Sequence, residues 1–199
     1  CYSSDIPTQI KLPIKENALT GLPCDNEKML DFIKKHKNHE SPLEHVSFTF
    51  AIEGVSRSLS HQLVRHRLAS YSQQSQRYVD MSNTKFIVPP IMNENEDALN
   101  LYCDFLKQVK STYEQLIDYG MPKQDARYVL PNATTTNIIM TMNVRELIHF
   151  FQERCCIHAQ WEIRELANEM KEQVNKLLPL FDNIMKCGKT CFECKGKNN

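Results

Sequence analysis

Positions 46–52 alternate: Val46, Phe48, Phe50 and Ile52 are bulky and apolar, whereas Ser47, Thr49 and Ala51 are small or polar. A period of two is that of a strand with one buried face. Gly54 is expected to end it, and Ser56 to cap a helix running through Leu59 and Leu63 into Arg65. Upstream, Met29, Leu30, Phe32 and Ile33 form an apolar stripe within 26–37, opposed by lysines, which predicts an earlier helix. A long helix is predicted over 96–119 from Leu99, Tyr102, Leu106, Val109, Tyr113, Leu116 and Ile117, closed by Gly120 and Pro122. A short one should follow over 123–129.

The β-branched run 134–141 predicts a second strand. Asn143-Val-Arg-Glu146 resembles a capping box and opens a helix holding Leu147, Phe150 and Phe151. The last helix is expected over about 160–178, with Ile163, Leu166, Ala167, Met170 and Val174 on one face. Between these elements, 70–76 is expected to be a polar loop and 77–79 an extended piece. Residues 86–88, ahead of Pro89-Pro90, also read as extended. No repeat or low-complexity linker interrupts the chain. The pattern describes an α+β fold: one helix-rich domain over 1–199 with a small, mostly antiparallel sheet.

Composition narrows the class. A chain of 199 residues can bury about 70% of its unfolded surface in one core. Its 24 basic and 24 acidic side chains balance, unlike the basic excess of nucleic-acid coats and membrane-surface binders. No apolar run is long enough to span a bilayer, and the start carries no signal-peptide pattern. The chain opens at Cys1 without methionine, so its native N-terminus is expected to be missing. Eight cysteines could form a disulfide scaffold, but Cys155 and Cys156 are adjacent and Cys103 sits in a helical pattern. A reduced, cytoplasmic protein is expected. Cys187, Cys191 and Cys194 lack a fourth ligand for zinc, so no metal is expected and 187–199 reads as a mobile tail.

Chemistry concentrates in 62–78. Gln62 and Arg65-His66-Arg67 are followed by a run of hydroxyls and amides, then Arg77 and Tyr78. Arginine forks beside neutral donors suit a phosphate monoester and a flat polar base. The same residues also fit a solvated basic helix end. Only Tyr71 and Tyr78 interleave with them, which is little for a single-strand nucleic-acid platform.

Arg65-His66-Arg67, seven residues, then Ser75 resembles the signature of the flavin-dependent thymidylate synthases. The likeness continues in His39-Glu-Ser41-Pro-Leu-Glu44-His45, in Ala126-Arg127-Tyr-Val-Leu-Pro131, in Asn143-Val-Arg145, and in Arg154 ahead of His158-Ala-Gln-Trp161-Glu162. These blocks fall in the family's order and cover most of the chain from Cys1-Tyr2-Ser3-Ser4 to about Leu178.

The resemblance implies reductive methylation of dUMP to dTMP by a homotetramer whose sites lie between subunits. FAD would be the cofactor, with NADPH and 5,10-methylenetetrahydrofolate as co-substrates and no nucleic-acid or membrane partner. It implies dUMP held by Gln62, Arg65, Ser75, Gln76, Arg77, Arg127 and Arg154, with Arg154 and Ser75 closest to catalysis. Arg77 and Arg127 would take the phosphate, and Arg154 would stabilise negative charge on the uracil ring. It implies FAD contacts from Ser41, Glu44, Arg65, His66, Arg67, Leu68, Gln73, Asn143, Arg145 and His149, with His39 in support. With only five glycines and no GxGxxG fingerprint, the FAD site would be non-Rossmann.

Pro23-Cys24 echoes the nucleophile pair of the unrelated cysteine-dependent synthases, but Asp25 follows it in a polar stretch, and Cys24 reads as incidental. Two other functions stay in view: a nucleic-acid-binding module using Arg57, Arg65, Arg67 and Arg77, and a metalloprotein organised by the C-terminal cysteines. Neither explains the ordered blocks around Glu44, Arg127 and Trp161.

Overall fold

In the computed structural model, residues 41–177 are described. The expected helix over 26–37, His39, Cys24 and the cysteine-bearing tail lie outside them. Strand β1 (Ser47–Ser56) buries Phe48, Phe50 and Ile52, as its alternation requires. It does not stop at Gly54. Gly54 sits at φ +68 inside the strand and donates its N–H to Asn137 Oδ1 at 3.0 Å, so the positive φ is absorbed and pairing resumes. Ser56 then caps helix α1 (Arg57–Leu63), its Oγ accepting from Leu59 N at 2.9 Å.

The expected loop over 70–76 is, for most of its length, a strand, β2 (Ala69–Gln73). Its residues are all partly or fully exposed, so no buried alternation marks it in the sequence. The strand β3 (Thr135–Asn143) buries every second side chain, Thr136, Ile138, Met140 and Met142. The antiparallel sheet runs in the order β1-β3-β2, with β3 central. The Thr49 and Thr141 hydroxyls meet across it at 2.9 Å. Arg77–Val79 is a turn rather than extended chain: the N–H groups of Tyr78 and Val79 both return to Ser75 O, at 3.4 and 3.1 Å. Phe86 is extended as expected and bridges Thr134.

By packing, the chain divides into two compact units. In the first unit, with 51–61 and 72–139, helix α2 (Glu96–Asp118) is capped by Asn95 Oδ1 on Ala98 N and ended by Gly120 at φ +83. Its buried stripe is Leu106, Val109 and Tyr113. Tyr113 packs with Met81 and Ala126, and its hydroxyl accepts from Met81 N at 3.3 Å. Helix α3 (Lys123–Ala126) runs into a 3-10 turn at Arg127–Val129, and another 3-10 turn spans Pro90–Glu94.

In the second unit, Asn143 Oδ1 accepts from Glu146 N at 2.9 Å and starts helix α4 (Val144–Arg154). Leu147, Phe150 and Phe151 of α4 are buried, and α4 packs on helix α5 (Trp161–Leu177). Gln160, expected as the first helical residue of α5, acts as its cap: its Oε1 accepts from Glu162 N and Ile163 N. A 3-10 turn at Ser41–Glu44 packs on α4. No helix among the described residues is long and apolar enough to cross a membrane.

Candidate functional site

In the second unit the chain leaves α1 through a turn in which Arg65 N and His66 N return to Gln62 O and Leu63 O. That turn buries His66, 6% exposed, and leaves Arg65, Arg67 and Leu68 outside. Tyr71 holds it in place. Its hydroxyl lies 2.9 Å from Leu63 O and 2.8 Å from His66 O, so one proton serves two carbonyls.

His66 is enclosed by α4. Its Nδ1 is 3.3 Å from Glu146 Oε1, and its Nε2 accepts from Arg154 Nε at 3.0 Å. Phe150 meets the ring edge-on at 5.0 Å between centroids, and His149 at 5.8 Å. Burial and the Arg154 charge hold the His66 pKa below its ordinary value, against the opposing pull of Glu146. His66, Glu146 and His149 could converge on a cation, but the Nε2 lone pair of His66 is taken by Arg154. The group therefore reads as a hydrogen-bond relay rather than a metal centre. Arg154 is half-buried, and among the described residues its two terminal nitrogens make no hydrogen bond or ion pair.

The same unit holds most of the other residues expected at the cofactor. Arg145 pairs with Glu44, Ser41 and His149 are exposed, and Asn143 spends its oxygen on the α4 cap. Gln62 is half-buried at the end of α1. The exposed guanidinium and imidazole donors of Arg65, Arg67 and His149 suit an anionic dinucleotide without any glycine-rich loop.

The first unit holds the remaining predicted residues. Arg77 Nη2 donates to Gln124 Oε1 at 3.3 Å, and Arg127 Nε donates to Gln124 O at 3.0 Å, so one residue gathers both arginines. Arg57 completes the group: burial, and then the Arg127 charge, lower its pKa. None of the three is paired with a carboxylate among the described residues. Three clustered cations without a counter-charge suit a phosphate dianion. Ser75 Oγ accepts from Arg77 N at 3.2 Å, Gln76 is buried, and Gln73 Nε2 donates to Thr136 Oγ1 at 3.2 Å.

A cleft of about 1040 Å³ also opens in this unit, lined by Glu53, Ser72, Gln74, Asp80, Lys85 and Asn137 among others. None of the predicted site residues lines it. Its acidic groups oppose binding of a phosphate, and the arginine group carries that chemistry better. Sequence reasoning missed Gln124 and the pairing of Glu146, and weighed Arg57 and Tyr71 only in the nucleic-acid reading. Glu146 did leave a signal, but as a capping residue. Its backbone N–H fills that role while its carboxylate turns to His66.

Removing the Tyr71 hydroxyl in Tyr71→Phe is expected to cost about 1 kcal/mol in urea unfolding, because His66 O loses the hydroxyl and Leu63 O keeps only the His66 N–H. Burial, with Glu146 adding to it, pushes the Tyr71 pKa up to about 12. An unfolded tyrosine ionises near pH 10. Between about pH 10 and 12 the unfolded chain therefore holds fewer protons than the folded one, and stability falls as pH rises. Unfolding curves across that window should fall less steeply for Tyr71→Phe than for the wild type. Parallel curves would refute the assignment.

Residues 1–180 match the family described as thymidylate synthase complementing protein. The chain is 48% identical over 168 residues to a flavin-dependent thymidylate synthase of Clostridium tetani, covering 76% of this chain and 67% of the relative. It is 54% identical over 143 residues to one of Geobacter sulfurreducens, covering 71% and 62%. Identity to one of Pyrococcus furiosus is 47% over 156 residues, covering 76% and 64%. The chain thus spans about two thirds of the length of the curated relatives it matches.

Proposed function

The chain belongs to the thymidylate synthase complementing protein family, whose curated relatives are named flavin-dependent thymidylate synthases, and from that premise we propose that it methylates dUMP to dTMP. In this reading 5,10-methylenetetrahydrofolate donates the carbon and NADPH is the reductant. FAD, when bound, supplies the redox chemistry that passes a hydride to the nucleotide. The protein's own share is alignment and charge stabilisation.

The observation that carries the proposal is Arg154. A half-buried guanidinium is held through its Nε by a neutral histidine, which leaves its two terminal NH2 groups to face a substrate. Such fixed donors can take up negative charge developing on a uracil ring without reorganising. Arg77 and Arg127, gathered on Gln124, suit the nucleotide phosphate; the family resemblance adds Ser75, Gln76, Gln62 and Arg65 as dUMP contacts. The exposed donors Arg65, Arg67 and His149 suit FAD, joined by Ser41, Glu44, His66, Leu68, Gln73, Asn143 and Arg145. The working form is a cytoplasmic homotetramer with these residues drawn from more than one subunit and His39 in support. Each copy forms one synthase domain.

The test is to add FAD to the purified chain, record its spectrum, and assay dTMP with dUMP, methylenetetrahydrofolate and NADPH. Retained flavin and dTMP that requires all three substrates are expected. A protein that neither retains FAD nor makes dTMP would remove the reading and return the arginine segment to oligonucleotide binding.

A further inference from the structure

We propose that Glu146 is a positioning residue that sets the His66 tautomer and, through it, the orientation of Arg154; the inference rests on the synthase reading. Arg154 donates its Nε–H to His66 Nε2 at 3.0 Å, so that nitrogen must carry a lone pair. In a neutral imidazole the proton then sits on Nδ1. Nδ1 lies 3.3 Å from Glu146 Oε1, and an ionised carboxylate can only accept. Glu146 thereby selects the one tautomer that can receive Arg154. The other would set Nε2–H against the Arg154 N–H, donor against donor.

Helix α4 makes the arrangement stiff. Glu146, Phe150 and Arg154 are spaced at four-residue intervals on one helix face, and eight residues span about 12 Å. His66, brought in from the end of α1, bridges the outer two, and the Phe150 ring holds it edge-on between them. Glu146 is itself buried at 8% exposure, so its carboxylate has little water to turn to instead. Because Arg154 is gripped at Nε, its terminal nitrogens keep a fixed aim. Glu146 acts on the substrate only through His66 and Arg154.

The experiment labels the chain's histidines with nitrogen-15 and reads the His66 tautomer by NMR without ligands, using His66→Asn to assign the signal. The protonated nitrogen should be Nδ1 in the wild type. In Glu146→Leu, which leaves Nδ1–H without its acceptor, the Nε2–H form should appear, whereas Glu146→Gln keeps an acceptor oxygen and should keep Nδ1–H. An Nε2–H tautomer in the wild type overturns the proposal, whether or not any variant folds. In turnover assays, Glu146→Leu should lower kcat by roughly tenfold to a hundredfold, and Glu146→Gln should stay closer to wild type. In an Arg154→Ala background Glu146→Leu should cost nothing further. A loss that simply adds to that of Arg154→Ala would show a general structural role and overturn the relay. A wild type that makes no dTMP yet shows the Nδ1–H tautomer would remove the synthase reading and leave the hydrogen-bond relay standing.

Discussion

Arg154→Ala is expected to lower dTMP formation by about a hundredfold to a thousandfold. The magnitude is that of removing a fixed donor from a site where negative charge develops. Arg154 qualifies because its Nε is already occupied by His66 while its terminal nitrogens have no partner among the described residues. Arg154→Lys should be nearly as damaging. Lysine keeps the charge but has neither the Nε–H that His66 accepts nor a planar pair of terminal donors. Measuring kcat for dTMP together with the dUMP dissociation constant separates the two duties. A kcat within threefold of wild type in Arg154→Ala would sink the catalytic assignment, whatever happened to binding.

Phe150→Ala should produce the largest loss of stability, about 3–5 kcal/mol. Phe150 is fully buried in α4, packs at 5.6 Å against Phe151, and meets His66 at 5.0 Å. Deleting the ring removes apolar burial and leaves a void beside the imidazole. Phe150→Leu, which refills part of that volume, should cost clearly less. Chemical denaturation of both variants gives the comparison. A loss below 1 kcal/mol for Phe150→Ala would mean that the surrounding core collapses onto the gap.

How far the sequence announces this molecule varies with the physics of each part. Strands β1 and β3 were legible because one face is buried and every second residue is bulky or β-branched. Helices α2, α4 and α5 showed their buried stripes, and Asn143 and Ser56 cap where expected. Strand β2 was hidden because Ser70, Tyr71 and Ser72 have no fully buried face, and its existence rests on pairing with a distant β3. Gly54 misled for a related reason, since the strand continues through a residue that usually ends one.

The candidate site divides in the same way. Its charged residues were singled out from ordered motifs. Their partners were not, because no local pattern joins Gln124 to Arg77, Tyr71 to Leu63, or Glu146 to His66 across 80 positions. Long-range hydrogen bonds leave no period in the chain.

Helix α4 carries both ends of the relay, and its first turn is tied down by the Asn143 cap and by Val144 N–H on Val46 O at 2.8 Å. Helix ends are the first part of such an element to open on warming. Fraying there would let Glu146 swing away, free the His66 ring to change tautomer, and release the aim of Arg154 two turns further on. Turnover would then fade at temperatures where the buried middle of the helix is still intact, and the enzyme's thermal ceiling would be set by the ties of one helix turn rather than by the melting of its core.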